Sequence, residues 1–132
     1  MMDAGVIHEA MAESQAGRLI FPEVVRRLLA SGVESYFVDF AKGEMTFYLL
    51  AGTTHREPMI VPLAHVAGEF SLSGIVAAIR GAQTDTVRYP EFVTLATGAG
   101  VIGYWVFLTG EKVIYFGRKG ETHIEEFPRP KV

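Results

Sequence analysis

At 132 residues and 49% hydrophobic composition, the chain is long enough for one domain with its own core and too apolar for disorder. It has no cysteine, which excludes disulfides, thiolate metal sites and cysteine nucleophiles. The net charge is -3, and the basic residues Arg26, Arg27, Arg118, Lys119, Arg129 and Lys131 form no long run, so nucleic acid is a disfavoured partner.

The N-terminal stretch MMDAGVIHEAMAESQAG lacks the basic start and unbroken apolar run of a secretory signal. No segment approaches the roughly 20 apolar residues that cross a bilayer. A cytoplasmic protein without membrane contact is expected. Val6, Ile7, Ala10 and Met11 recur at helical spacing and predict a first amphipathic helix. FPEVVRRLLASG predicts a second helix: Pro22 fits a first turn, Glu23 faces the positive end of the helix dipole, and Gly32 is the stop. VESYFVDFA, a turn at Lys42-Gly43, EMTFYLLAG and THREPMIV then read as three strands, rich in β-branched and aromatic residues.

Residues 61–70, VPLAHVAGEF, form a joint. Beyond it, Leu72, Ile75, Val76 and Ile79 predict another amphipathic helix, with Ser71 or Ser73 as its N-cap. YPEFVTLATGAG, VIGYWVFLTG, EKVIYFGRKG and ETHIEEF then spell the same succession of helix, stop, hairpin and third strand.

The second half echoes the first. Pairing residue n with n+68 aligns positions 7–38 with 75–106 without a gap, and ten of those thirty-two pairs are identical. They include Pro22/Pro90, Glu23/Glu91, Gly32/Gly100, Tyr36/Tyr104 and Val38/Val106. A one-residue slip is expected next, matching Gly43-Glu44 with Gly110-Glu111 and Tyr48 with Tyr115. Thr54-His55 and Thr122-His123 restore the register. The expected fold is therefore α+β: an internal duplication of a helix-helix-strand-strand-strand unit, over about residues 5–60 and 72–128. One antiparallel sheet of about six strands would carry the helices, in a single domain spanning 1–132, and the joined halves would bury what each alone exposes.

With FPEVVRRLLASGVESYFVDF, AAIRGAQ, YPEFV and GYWVFLTGEKVIYFGRKGETHIEEF in view, the sequence resembles a family of small bacterial and prophage-encoded proteins. That family includes the YdfO-like proteins and is often labelled "phage envelope protein". The resemblance spans essentially the full chain and is most specific in the FLTG-KVIYFGR-GE-H-E-F run. It implies an α+β fold made by duplication and a domain of unknown function, so it brings no catalytic residues.

Three candidate sites can be weighed on the residues themselves. RGAQTDTVRYPEF ends like an EF-hand loop, but Arg80, Ala82 and Thr84 stand where calcium needs oxygen ligands, and the copy before Glu23 offers Ala12, Ser14 and Ala16. Calcium is not expected. His55/Glu57 and His123/Glu125 recur at the repeat interval, and residues i and i+2 of a strand share a face. If the third strands met, two imidazoles and two carboxylates could hold a divalent transition metal or perform acid–base chemistry. The plainer account is a polar edge strand. The third candidate is an aromatic surface: Phe37, Trp105 and Phe107 fall on the strand face opposite the helices, a candidate interface for a second copy or another protein.

His8 and His65 have no counterpart in the other half and read as structural or surface residues, and Asp39 stands where the second half has Phe107. No Gly-x-Ser-x-Gly elbow or phosphate-binding glycine loop occurs. The expectation is a non-enzymatic binding or accessory protein, of prophage-related type and without a cofactor, acting through a protein or small-molecule contact. The alternative is a small metal-binding protein or enzyme using the Thr-His-x-Glu pairs.

Overall fold

A computed structural model describes residues 4–61 and 65–128, so residues 62–64 of the joint and the tail residues Arg129 and Lys131 lie outside the described residues. The first half contains α1 (Ala4–Gln15), α2 (Phe21–Ala30), β1 (Val33–Asp39), β2 (Glu44–Leu49) and β3 (Thr54–Pro58). The second contains α3 (Leu72–Gln83), α4 (Tyr89–Gly98), β4 (Val101–Phe107), β5 (Lys112–Gly117) and β6 (Thr122–Glu126). The chain is thus α+β, with the helix-helix-strand-strand-strand order present twice.

Short-range chemistry sets the boundaries. Pro22 and Pro90 sit in the first turns of α2 and α4, where a missing N–H costs nothing. Glu91 Oε1 reaches back to accept the Arg88 backbone N–H at 3.4 Å. Ser71 caps α3, its hydroxyl accepting the Gly74 N–H at 3.0 Å. Gly32 and Gly100, at φ 83° each, turn the chain out of α2 and α4 into the following strands.

Each element of the second half begins 68 residues after its counterpart, from Ala4/Leu72 through Glu44/Lys112 to Thr54/Thr122. The one-residue slip expected in the hairpins is therefore absent. Gly43 matches Glu111, and both carry a positive φ, 69° and 56°. Their carbonyls accept equivalent bonds, from the Met59 N–H at 2.8 Å and the Phe127 N–H at 2.9 Å. Glycine identity misled the alignment because Gly110 lies one residue before the position that needs the left-handed backbone.

The six strands form one antiparallel sheet in the order β3-β2-β1-β4-β5-β6. The two halves join through β1 and β4, with Phe37 opposite Trp105. The Phe40 N–H donates to the Ile102 carbonyl at 3.1 Å, and the Leu108 N–H donates to the Glu34 carbonyl at 3.0 Å. Under the 68-residue offset these bonds are mirror partners, which places a local two-fold between the central strands.

All four helices lie on one face. Tyr36, Val38, Met45 and Phe47 point at them from the first half, and Tyr104, Val106, Val113 and Tyr115 from the second; every one is buried. Ile7, Leu28, Ile75 and Val93 enter from the helices and are fully buried. Each such side chain contributes about 1.5–3 kcal/mol through removal from water. The two halves share this apolar layer. The described end of the joint is tied to the C-terminal end of α4, where the Ala67 N–H donates to the Thr97 carbonyl and the Ser71 N–H to the Ala99 carbonyl at 2.9 and 2.8 Å.

Candidate functional site

The sheet order decides the fate of the two His–Glu pairs. β3 and β6 are opposite edge strands, five strand spacings or about 24 Å apart across the sheet. His55/Glu57 and His123/Glu125 therefore do not converge. Among the described residues no group of three or more His, Cys, Asp or Glu could hold a metal ion.

Each pair is instead engaged within its own half. His55 Nε2 donates to Glu57 Oε2 at 2.5 Å, and His8 Nδ1, from α1, donates to the other oxygen at 2.6 Å. Glu57 is buried beneath them. His123 Nε2 donates to Glu125 Oε1 at 3.1 Å, while Arg80 of α3 donates to Oε2 at 2.8 Å. In both halves the first helix anchors the third strand through its carboxylate. His8 and Arg80 are not equivalent positions: Ala12 is the counterpart of Arg80, one helical turn beyond His8. The longer arginine reaches the carboxylate from the next turn. Burial pushes the Glu125 carboxyl up, but its hydrogen bonds and charge contacts with Arg80 and His123 outweigh that and hold it below the usual range.

The aromatic candidates lie on the sheet face away from the helices. The Trp105 ring sits 5.2 Å from Phe37, 5.4 Å from Tyr48 and 5.7 Å from Phe107, centroid to centroid. Each of these rings is partly exposed. The Trp105 Nε1 is buried, with no hydrogen-bond partner among the described residues. Asp39 has a local role: its Oδ1 accepts the N–H groups of Ala41 and Lys42 at 2.9 and 3.0 Å, closing the β1–β2 turn.

The site that sequence reading missed lies between the helices and the sheet. A cavity of about 340 Å³ straddles the local two-fold. Corresponding residues from both halves line it, among them Gln15/Gln83, Phe21/Tyr89 and Tyr36/Tyr104. The symmetry ends at one side, where Tyr115, Glu125 and Phe127 of the second half close the wall without first-half counterparts. Exposed lining residues, Ile20, Pro22, Gln83, Asp85 and Glu126, mark the mouth.

Four phenols project into this apolar space. The Tyr89 and Tyr104 hydroxyls bond to each other at 2.8 Å. Tyr36 and Tyr115 are only 4% and 6% exposed, and among the described residues neither hydroxyl has a protein hydrogen-bond partner. Burial pushes the Tyr89 phenol up to about 12, the bond with Tyr104 working against it, and lifts Tyr36, Tyr104 and Tyr115 as well. All four stay protonated at neutral pH, able both to donate and to accept. Arg88 at the mouth is held by Asp85 at 2.9 Å and donates to the Gly17 carbonyl at 3.1 Å.

A sequence signal for this site did exist. Tyr36, Tyr104 and Tyr115 occupy helix-facing strand positions where an ordinary core would place Val, Ile or Leu. A repeated core tyrosine asks where its hydroxyl goes.

A family model described as a protein of unknown function (DUF1398) matches residues 9–126. No curated protein matches the chain.

Proposed function

The chain belongs to the DUF1398 family of proteins of unknown function, and from that premise, with no inherited activity to guide the reading, we propose that it is a non-enzymatic binding protein that holds a small, mainly apolar molecule between its helices and its sheet. The observation that carries this reading is the cavity of about 340 Å³, with the buried Tyr36 and Tyr115 phenols on its wall. Ligand pockets are typically about 300–1,000 Å³, apolar, with a few convergent polar groups. An engineered apolar cavity of about 150 Å³ takes one benzene, so this one has room for a body of about two rings. A core designed only for stability would fill such a space, since packed interiors hold few voids larger than a water.

The test is a thermal-shift screen of uncharged one- and two-ring compounds against the wild type and two filled variants, Ala82→Phe and Ser14→Phe. These are corresponding positions on α3 and α1, both on the cavity wall. At least one compound should raise the melting temperature of the wild type and leave both variants unmoved. Stabilisation of wild type and variants alike would place binding elsewhere and sink this reading.

A protein contact through the opposite face is a second reading, favoured by the buried Trp105 Nε1, without a partner among the described residues, amid Phe37, Tyr48 and Phe107. A homodimer through this face would give twice the monomer mass in light scattering, reduced to the monomer by Trp105→Lys. A wild-type monomer at every concentration removes it.

A further inference from the structure

The cavity's charges and rings define its ligand more narrowly, and this step rests on the binding reading above. The aromatic rings of Tyr36, Tyr89, Phe92, Tyr104 and Tyr115 border the space. The negative face of such rings attracts cations, most strongly where water is excluded. Two carboxylates line the cavity, Asp85 and Glu125, against one guanidinium, Arg88, while the Glu126 side chain alternates to the open face of β6, opposite Lys112. That guanidinium is doubly engaged by Asp85 and bonded to the Gly17 carbonyl, which leaves it poorly placed to greet an anion.

The two halves differ at the decisive point. Glu57 of the first half is closed off between His8 and His55 and does not line the cavity. Its counterpart Glu125 does line it, opposite Val113 and diagonal to Tyr115 on the same sheet face. Arg80 donates to both of its oxygens, at 2.8 and 3.5 Å, and His123 bonds Oε1 at 3.1 Å, so the carboxylate reaches the cavity as the acidic member of an engaged cluster. The charge of Glu125 also raises the Tyr115 phenol, after burial itself, so the carboxylate field extends to that hydroxyl. A group lodged beside Tyr115 meets a phenol oxygen with free lone pairs, aromatic faces and a carboxylate. An N–H cation satisfies all three, and a carboxylate ligand satisfies only the phenol hydrogen.

We propose that the cavity takes a hydrophobic amine: a flat body of one or two rings bearing a protonated nitrogen, with the nitrogen beside Tyr115 and Glu125 and the rings among the remaining aromatic side chains. The phenols of Tyr36 and Tyr115 receive its N–H bonds.

Three probes with one ring system separate the charge from the shape: 1-naphthylmethylamine, 1-naphthylmethanol and 1-naphthoate, titrated into the wild-type protein by calorimetry at neutral pH. The amine is expected to bind about tenfold more tightly than the alcohol, a ratio in keeping with a cation held by rings and a carboxylate, and the acid most weakly. Glu125→Gln should bring the amine's affinity down to about that of the alcohol measured on the same variant; Tyr115→Phe should narrow the advantage with the carboxylate intact. An alcohol or acid that binds the wild type as tightly as the amine overturns the proposed ligand class while the cavity reading stands. Failure of all three to bind overturns both.

Discussion

The Glu111 backbone occupies the same left-handed conformation as Gly43, 68 residues earlier, with φ 56° against 69°. A side chain in that region costs about 1 kcal/mol or more relative to glycine. Glu111→Gly should therefore stabilise the protein by about 1 kcal/mol, seen as a rise of about 4 °C in melting temperature. Gly43→Glu should lower it by a similar amount. If Glu111→Gly destabilises, the local equivalence of the two hairpins is wrong.

Gly32 and Gly100 share φ 83°, yet their surroundings differ. A methyl group on Gly32 meets nothing within 4 Å, whereas one on Gly100 would lie 2.3 Å from the Glu69 carbonyl oxygen. Gly32→Ala carries only the conformational penalty, about 1 kcal/mol. Gly100→Ala adds a clash with the backbone of the joint and should cost at least about 3 kcal/mol by urea denaturation. Equal losses would mean that the joint does not press on the α4–β4 corner.

Burial raises the phenols of Tyr36, Tyr89, Tyr104 and Tyr115. A group with a raised folded-state pKa contributes stability that is whole below its unfolded value, about 10, and lost as pH climbs through the folded one, about 12 for Tyr89. Alkaline unfolding should therefore set in above about pH 10. The phenolate absorbance of these tyrosines should appear together with the loss of near-ultraviolet circular dichroism. Phenolate formation by these four residues in a still-folded protein would contradict their burial around the cavity.

Glu125 behaves in the opposite sense. Burial works against its ionisation, but Arg80 and His123 prevail and lower its pKa. Its stabilising effect is present above the unfolded carboxyl value, about 4.3, and disappears as pH falls through the lower folded value. Between neutral pH and pH values below about 4, the urea midpoint of the wild type should fall more steeply than that of Glu125→Gln. Parallel slopes would show that the Arg80–Glu125 pair does not anchor β6.

Fixed-interval tyrosines, prolines and glycines make much of this architecture legible in the sequence. Pro22/Pro90 and Gly32/Gly100 act through φ restrictions confined to a few residues, so the starts and stops of helices can be read from the chain itself. The alternation Tyr36, Val38 against Phe37, Asp39 likewise separates the helix-facing side of β1 from the open side. The hairpin register could not be read this way, because Glu111 accepts a conformation that composition assigns to Gly110.

The pairing of strands from different halves was decided by tertiary structure alone. Periodicity says which face of a strand is apolar, but not which edge meets which. The β1–β4 junction, fixed by contacts such as Phe37 on Trp105 some seventy residues apart in sequence, sends His55/Glu57 and His123/Glu125 to opposite edges. The same junction brings Tyr36 and Tyr104 together beneath helices from both halves. A cavity is a property of how surfaces fail to interlock, and no residue carries that information by itself.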